Sequence, residues 1–434
     1  MLTELEKLPF NEEELNQFSD RRSEPKWFAD FRRQSLAAAE SLPLPNPEKT
    51  RITDWNFTNF TYDIAVQPEC TLEKLPEAVR RIVGAEKAAG ALLVIHNGHP
   101  VYRVVPKALT DQGVIFTDLL SAIKEHPDLV RRYYFKTVQA DRHRLRALHA
   151  ALVNGGVFLY VPKHVELEMP VQTIYYQDAP RAGLVAHTLV IAAENSKSTY
   201  VESYISAANV EGVANLVSEV AIENGASLQF GAVDHLSAEI STYVCRSAHV
   251  DTDGNIQWAL GQMNDGHTLS ENETVLEGRG ASCDTKAVSI GSGHQQASYD
   301  NYIRHIGQAT LSRLLVRGAQ KDAARAIFNA RTKIERGAAQ ADGEQAQRVL
   351  MLSDEARGDA NPILLIDEYD VIAGHAASVG RVDPDQLYYL MSRGIKKEMA
   401  EKLIVEGFLQ PVVDLLPVEG VRTQLADLIE RKVG

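Results

Sequence analysis

Between about residues 183 and 345, apolar and polar positions alternate in short runs, as in Ala186 to Ala192, Ser227 to Val233 and Ala287 to Ile290. Alternation over a few residues predicts strands with one face buried. Turn glycines interrupt the runs at Gly225, Gly254, Gly280, Gly307 and Gly337, so successive turns lie 26 to 30 residues apart. A near-constant period made of strands predicts a stacked solenoid, in which each repeat buries its face only against its neighbours. The expected fold class is mainly β: a right-handed parallel β-helix over residues 165–382, between a mostly helical N-terminal region with a small β part (1–164) and a C-terminal helical domain (383–434).

The flanking patterns differ. Asn11 caps an acidic helix, and Pro25 opens a second one with Trp27 and Phe31 on one face, which Leu42-Pro43-Leu44-Pro45-Asn46-Pro47 then breaks. This hairpin reads as a cover for the β body. Residues 91–105 form two strands around the turn signal Asn97-Gly98. The turn histidines His96 and His99 have no acidic or cysteine neighbour in sequence, so solvation is the better reading than metal binding. Asp141 to Leu152 predicts a helix, followed by Gly155-Gly156 and a strand at Val157 to Pro162. Glycines placed after a helix and before a strand reverse the order of a phosphate-binding loop.

Near the C-terminus, Ile363 to Val379 reads as strand, tight corner, strand, with His375 at the corner among Gly374, Ala376 and Ala377. Asp383-Pro384-Asp385-Gln386 then supplies a helix N-cap, a first-turn proline and a glutamine at the third position. Three apolar stripes follow: Leu387, Leu390 and Met391; Met399, Ala400, Leu403 and Ile404; and Val421, Leu425 and Leu428. They predict a cap of three short helices that bury against each other and the solenoid end, with an outer face available to a partner.

A net charge of -13 offers no basic surplus for nucleic acid. The absence of a long apolar run, and an acidic N-terminus where a signal peptide needs basic residues, make the expected location the cytoplasm, with no membrane partner. Cys70, Cys245 and Cys283 are too few for a disulfide framework, a zinc site or a four-cysteine cluster held by this chain alone. Lone cysteines in strands are usually small buried apolar residues, and a sulfur-handling role for Cys245 and Cys283 is the alternative. His235, His249, His267, His294 and His305 are scattered along the same body, and spacing alone groups none of them.

The order Asp370-Val371, His375-Ala376-Ala377, Val379-Gly380, Leu387 to Ile395 and Gly407-Phe408 resembles the C-terminal signature of the SufB/SufD family, scaffolds of the SUF iron–sulfur assembly system. Glu24-Pro25-x-Trp27, Asn154-Gly155-Gly156, Tyr160 to Lys163 and Pro170-Val171-Gln172 extend the likeness. The resemblance implies the same β-helix and a non-catalytic scaffold that pairs with a SufB-like subunit through its β core. It also implies docking of a SufC-like ATPase on Tyr388, Tyr389, Leu390, Ser392, Arg393, Gly394, Ile395, Gly407 and Phe408. An indirect supply of sulfur from a cysteine desulfurase system, and a homodimer as a possible state of the isolated chain, are further implications of the resemblance. His375 matches a histidine that faces a partner cysteine, so a transient iron–sulfur cluster is expected at the interface and none on this chain alone. Residues 348–353 read RVLMLS without the SufB cysteine and Ala376 replaces the SufB glutamate, which puts the chain on the SufD-like side, while Ala373, where some SufD-type members have cysteine, counts against ligation by this chain alone. The chain has no G-x-x-x-x-G-K-[ST], so ATP hydrolysis belongs to the partner. The alternatives are a passive β-helix adaptor, in which His375 can be changed without loss, and a polysaccharide-acting β-helix enzyme, which would want paired carboxylates or basic residues on one solenoid face.

Overall fold

The computed structural model describes residues 8, 10–62, 64, 66, 71–83, 90–415 and 419–433. The reading of the extreme N-terminus and of Cys70 falls outside them. Helices α1 (Glu12–Arg21), α2 (Lys26–Ser41) and α3 (Glu77–Val83) precede the antiparallel hairpin β1 (Ala91–His96) and β2 (His99–Val104). Then come α4 (Lys107–Asp111), β3 (Ile115–Asp118), α5 (Leu119–Glu125), α6 (Pro127–Tyr133) and α7 (Arg144–Leu152). Asn11 and Glu14 form a reciprocal capping box on α1, each side chain 2.9 Å from the other's backbone N–H.

Sixteen strands follow in unbroken alternation: β4 (Gly155–Val161), β5 (Val171–Gln177), β6 (Ala182–Ala192), β7 (Lys197–Ser206), β8 (Gly212–Ile222), β9 (Ser227–His235), β10 (Ile240–Val250), β11 (Asn255–Gln262), β12 (Thr268–Leu276), β13 (Ser282–Gly291), β14 (Gln296–His305), β15 (Leu311–Gln320), β16 (Arg325–Ile334), β17 (Ala341–Met351), β18 (Arg357–Ile366) and β19 (Val371–Arg381). Even-numbered strands build one sheet and odd-numbered strands the other, so each of eight coils gives one strand to each sheet. The ladders are parallel from β4 and β5 onward, and β1 joins β5 in parallel at the near end, upstream of residue 165.

The solenoid expectation holds, and the five glycines explain it. Each lies on a turn from an even to an odd strand, one coil apart along a single edge of the stack. Gly225, Gly280 and Gly337 take positive φ, whereas Gly307 has no room for a Cβ, which would sit 2.1 Å from the Gly278 carbonyl oxygen.

Side chains facing the space between the sheets form the main core, with Tyr200, Phe230 and Trp258 on successive coils in edge-on and tilted ring contact. That core also holds charge. Arg246 reaches Asp234 at 2.6 and 3.1 Å and Glu202 at 3.2 Å, all three at most 2% exposed. Helices α2 and α7 cover the outer face of the even sheet. Buried there, Glu219 accepts from the backbone N–H groups of Phe135, Thr137 and Val138 and pins that loop.

Helix α8 (Pro384–Ser392) leads to α9 (Lys397–Val413) and α10 (Glu419–Val433). The last two do not cap the solenoid end: they lie on the outer face of the odd sheet, α9 on β11, β13 and β15, and α10 on β13 and α3. Gly261 on β11 makes this possible, because a Cβ there would meet Leu425 Cδ1 at 2.9 Å. Val421, Leu425 and Leu428 are buried as the stripe predicted, whereas Met399 and Leu403 are exposed and α9 packs through Ala400, Val405 and Leu409. Among the described residues no helix is long and apolar enough to cross a membrane.

Candidate functional site

The last coil has no coil above it. Strand β18 pairs only with β16, and β19 only with β17, so two parallel edges end side by side with one row of backbone donors and acceptors each unmatched within the chain. Below them, Gln345 donates across the core to the Ile363 carbonyl at 3.0 Å and props the two sheets apart. The terminal turn is fixed by Glu368, which accepts the Gly337 N–H at 2.9 Å and its neighbour Tyr369 N–H at 2.7 Å.

His375 is in the middle of β19 and not at a corner; the corner is at residues 367–370. The small residues around His375 imitate a turn in sequence, but the ladder to β17 carries them through as strand. In register below His375 stand Gln345, Leu314 and Thr285, at most 3% exposed and on the side facing the second sheet. His375 itself is exposed, because its position is an interior one on a coil with nothing above it. Apolar side chains share this exposure: Ile372 at 66%, Leu365 at 43% and Val379 at 42%. Exposed apolar side chains beside two free edges are places where another chain can pack.

Nearby charges are already matched, since Arg313 binds Asp342 at 2.8 Å and Lys286 pairs with Asp284. Among the described residues no three His, Cys, Asp or Glu side chains converge as metal ligands. His96 Nε2 lies within hydrogen-bond distance of Asp178 Oδ1, at 2.7 Å. Both described cysteines are buried. Burial pushes the Cys245 thiol up to about 12 and the Cys283 thiol up to about 11, which keeps them protonated and favours the packing role.

The predicted docking residues occupy α8 and the adjoining face of α9. Asp383 caps α8 by accepting from the Asp385 N–H at 2.9 Å, and Gly394 at φ +88° closes it, with the Ile395 N–H donating back to the Leu390 carbonyl at 3.3 Å. No residue of α8 is buried: Tyr388 is 74% and Tyr389 57% exposed. Arg393 lies over the Tyr389 ring at 5.3 Å, and Ser392 Oγ donates to the Tyr389 carbonyl at 2.7 Å. Leu390 and Ile395 are half-buried, Gly407 faces open space, and Phe408 lies beneath the Arg317 guanidinium at 5.1 Å.

Residues 175–408 match the family described as SUF system FeS cluster assembly, SufBD core domain, and residues 84–173 match the SufBD protein N-terminal region. The chain is similar to the iron-sulfur cluster assembly protein SufD of Bacillus subtilis, with 52% identity over 98% of this chain and 99% of that one. It belongs to the SufBD family. It is also similar to iron-sulfur cluster assembly SufBD family proteins of Staphylococcus aureus, 27% identical over 93% of this chain and 89% of theirs.

SufBD membership sets aside the polysaccharide-enzyme alternative and fits a solenoid with an open end. Sequence reasoning missed the two arginines beside Phe408, Arg317 and Arg348. They are neighbours only through the register of β15 and β17, which residue spacing does not reveal.

Proposed function

We propose that this SufBD chain is the SufD-like, non-catalytic subunit of an iron–sulfur assembly scaffold. It pairs with a SufB-like subunit across the open last coil and receives a SufC-like ATPase on its C-terminal helices. The observation that carries this reading is the exposure of His375 at the free end of an otherwise buried interior row, on an edge strand able to continue into another sheet. An equivalent edge on the partner supplies the missing backbone partners and brings its side chains to the imidazole. A neutral imidazole ligates iron, so His375 provides one corner of a nascent cluster whose other ligands come from the partner. The cluster is cargo, assembled from iron and desulfurase-derived sulfur and then handed on. ATP hydrolysis takes place in the SufC-like protein.

Hydrogen–deuterium exchange tests the pairing. Adding a SufB-like partner should slow exchange across residues 357–381 and leave β5 to β9 unchanged. Protection of the helices alone, with β18 and β19 exchanging as in the free chain, would place the interface elsewhere.

A further inference from the structure

Along one row of the odd sheet, Gly261, Val288, Arg317, Arg348 and Ser378 follow one another from β11 to β19. Helices α9 and α10 cover the first two, Phe408 of α9 lies against Arg317, and beyond the edge of α9 the row continues as the guanidinium of Arg348 and the hydroxyl of Ser378. There the outer face of β17 and β19 and the flank of α9 leave a groove of about 770 Å³, lined by Arg348, Ser378, Val379, Leu403 and Phe408 among others. Its floor on β19 is small and uncovered: a Cβ at Gly380 would meet nothing within 4 Å, and the same holds for Gly407 on the opposite wall.

The groove's positive charge is uncompensated. Arg381 on the rim is paired with Asp354 at 2.7 Å, and Asp383 is engaged in capping α8. Arg317 donates to the Phe408 carbonyl and covers its ring, yet its Nε is buried with no hydrogen-bond partner. Among the described residues neither Arg317 nor Arg348 is in an ion pair. Burial lowers the Arg317 pKa, and the charge of Arg348 on the neighbouring strand lowers it further. Arg348, exposed in the groove beside the partly desolvated like charge of Arg317 on a chain of net charge -13, is the guanidinium that a carboxylate would pair with.

We propose that this groove is the slot for a segment of the ATPase partner that carries an Asp or Glu between apolar side chains. The carboxylate meets Arg348, and the apolar flanks meet Phe408, Leu403 and Ile404. This rests on the reading that the C-terminal region receives the ATPase, and gives that contact its chemistry. The small strand residues let the segment lie close to the sheet, and Arg348 fixes its register through charge.

The test measures binding of the purified ATPase to the full chain. Arg348→Glu reverses the exposed charge, and Ser378→Trp fills the groove without touching the core. Each should weaken binding by about tenfold or more, while Arg348→Lys stays within about threefold of wild type. Wild-type affinity should also fall as salt rises. Thermal unfolding of each variant checks that the fold is intact. If wild type binds and both Arg348→Glu and Ser378→Trp bind equally well, the slot is refuted while the docking reading stands. If wild type does not bind the ATPase, both fall. If the variants instead disrupt pairing with the SufB-like subunit or a dimer of this chain, the occupant is wrongly assigned and the proposal is overturned.

Discussion

His305 closes β14 two coils below the open end, and acid should act on the distal coils through it. Its ring is fully buried, with Nδ1 2.8 Å from Thr310 Oγ1 and Nε2 2.8 Å from Ser312 Oγ. Thr310 donates its own proton to the Gly307 carbonyl at 3.2 Å, so it accepts from Nδ1–H, and Nε2 accepts from Ser312. The neutral ring is thus satisfied. Burial pushes its pKa down to about 4, against a weaker upward pull from Asp342. A histidine with a depressed folded-state pKa contributes stability that is fully present above the unfolded value and is lost as pH falls through the folded one. From an unfolded value of 6.5, the window is pH 6.5 down to about 4, and the full loss is about 3 kcal/mol at 1.36 kcal/mol per unit. By pH 5 about 2 kcal/mol of it is gone. Native-state hydrogen exchange on β14 to β17, at pH 7.5 and 5.0, reads the opening free energy in wild type and in His305→Asn. Wild type should lose about 2 kcal/mol more than the variant over that interval. Equal losses would show that the ring is hydrated or pairs with a carboxylate, and would refute the reasoning.

Two further outcomes follow from the same geometry. Arg246→Met leaves Asp234 and Glu202 uncompensated between the sheets and should cost about 3–5 kcal/mol in urea unfolding, most of it recovered when Asp234→Leu and Glu202→Gln are added; a loss under about 1 kcal/mol would mean that water reaches the carboxylates. Tyr388→Ala combined with Tyr389→Ala should leave stability within about 0.5 kcal/mol, since α8 buries no side chain, while ATPase capture in a pull-down falls about tenfold or more. Full capture would move the docking site off α8.

The solenoid was legible because one edge of it repeats a backbone requirement: Gly225, Gly280 and Gly337 need positive φ, and Gly254 and Gly307 lack space, so the period survives in sequence although the strands share no motif. The α10 stripe was legible for the same local reason, as Val421, Leu425 and Leu428 are spaced for one helical face. The position of His375 was not, because Gly374, Ala376 and Ala377 look like a corner until β17 pairs with them. Nor was the placement of α9 and α10, which depends on a close approach at Gly261 that only the stacking register brings under the helix. Buried groups such as Glu219 under residues 135–138 and Arg246 between the sheets likewise meet their partners across coils, beyond the reach of any local pattern.

The most direct test of the account is the iron and acid-labile sulfide content of the complex of this chain with its SufB-like and SufC-like partners, purified without oxygen, for wild type and His375→Ala. His375 is exposed on an edge strand and its truncation removes no core packing, so the variant complex should assemble at normal yield. On the proposed reading its cluster content should fall sharply, because the shared site would lose one ligand. An intact variant complex that carries as much iron and sulfide as wild type would contradict the central claim and leave the chain a passive adaptor.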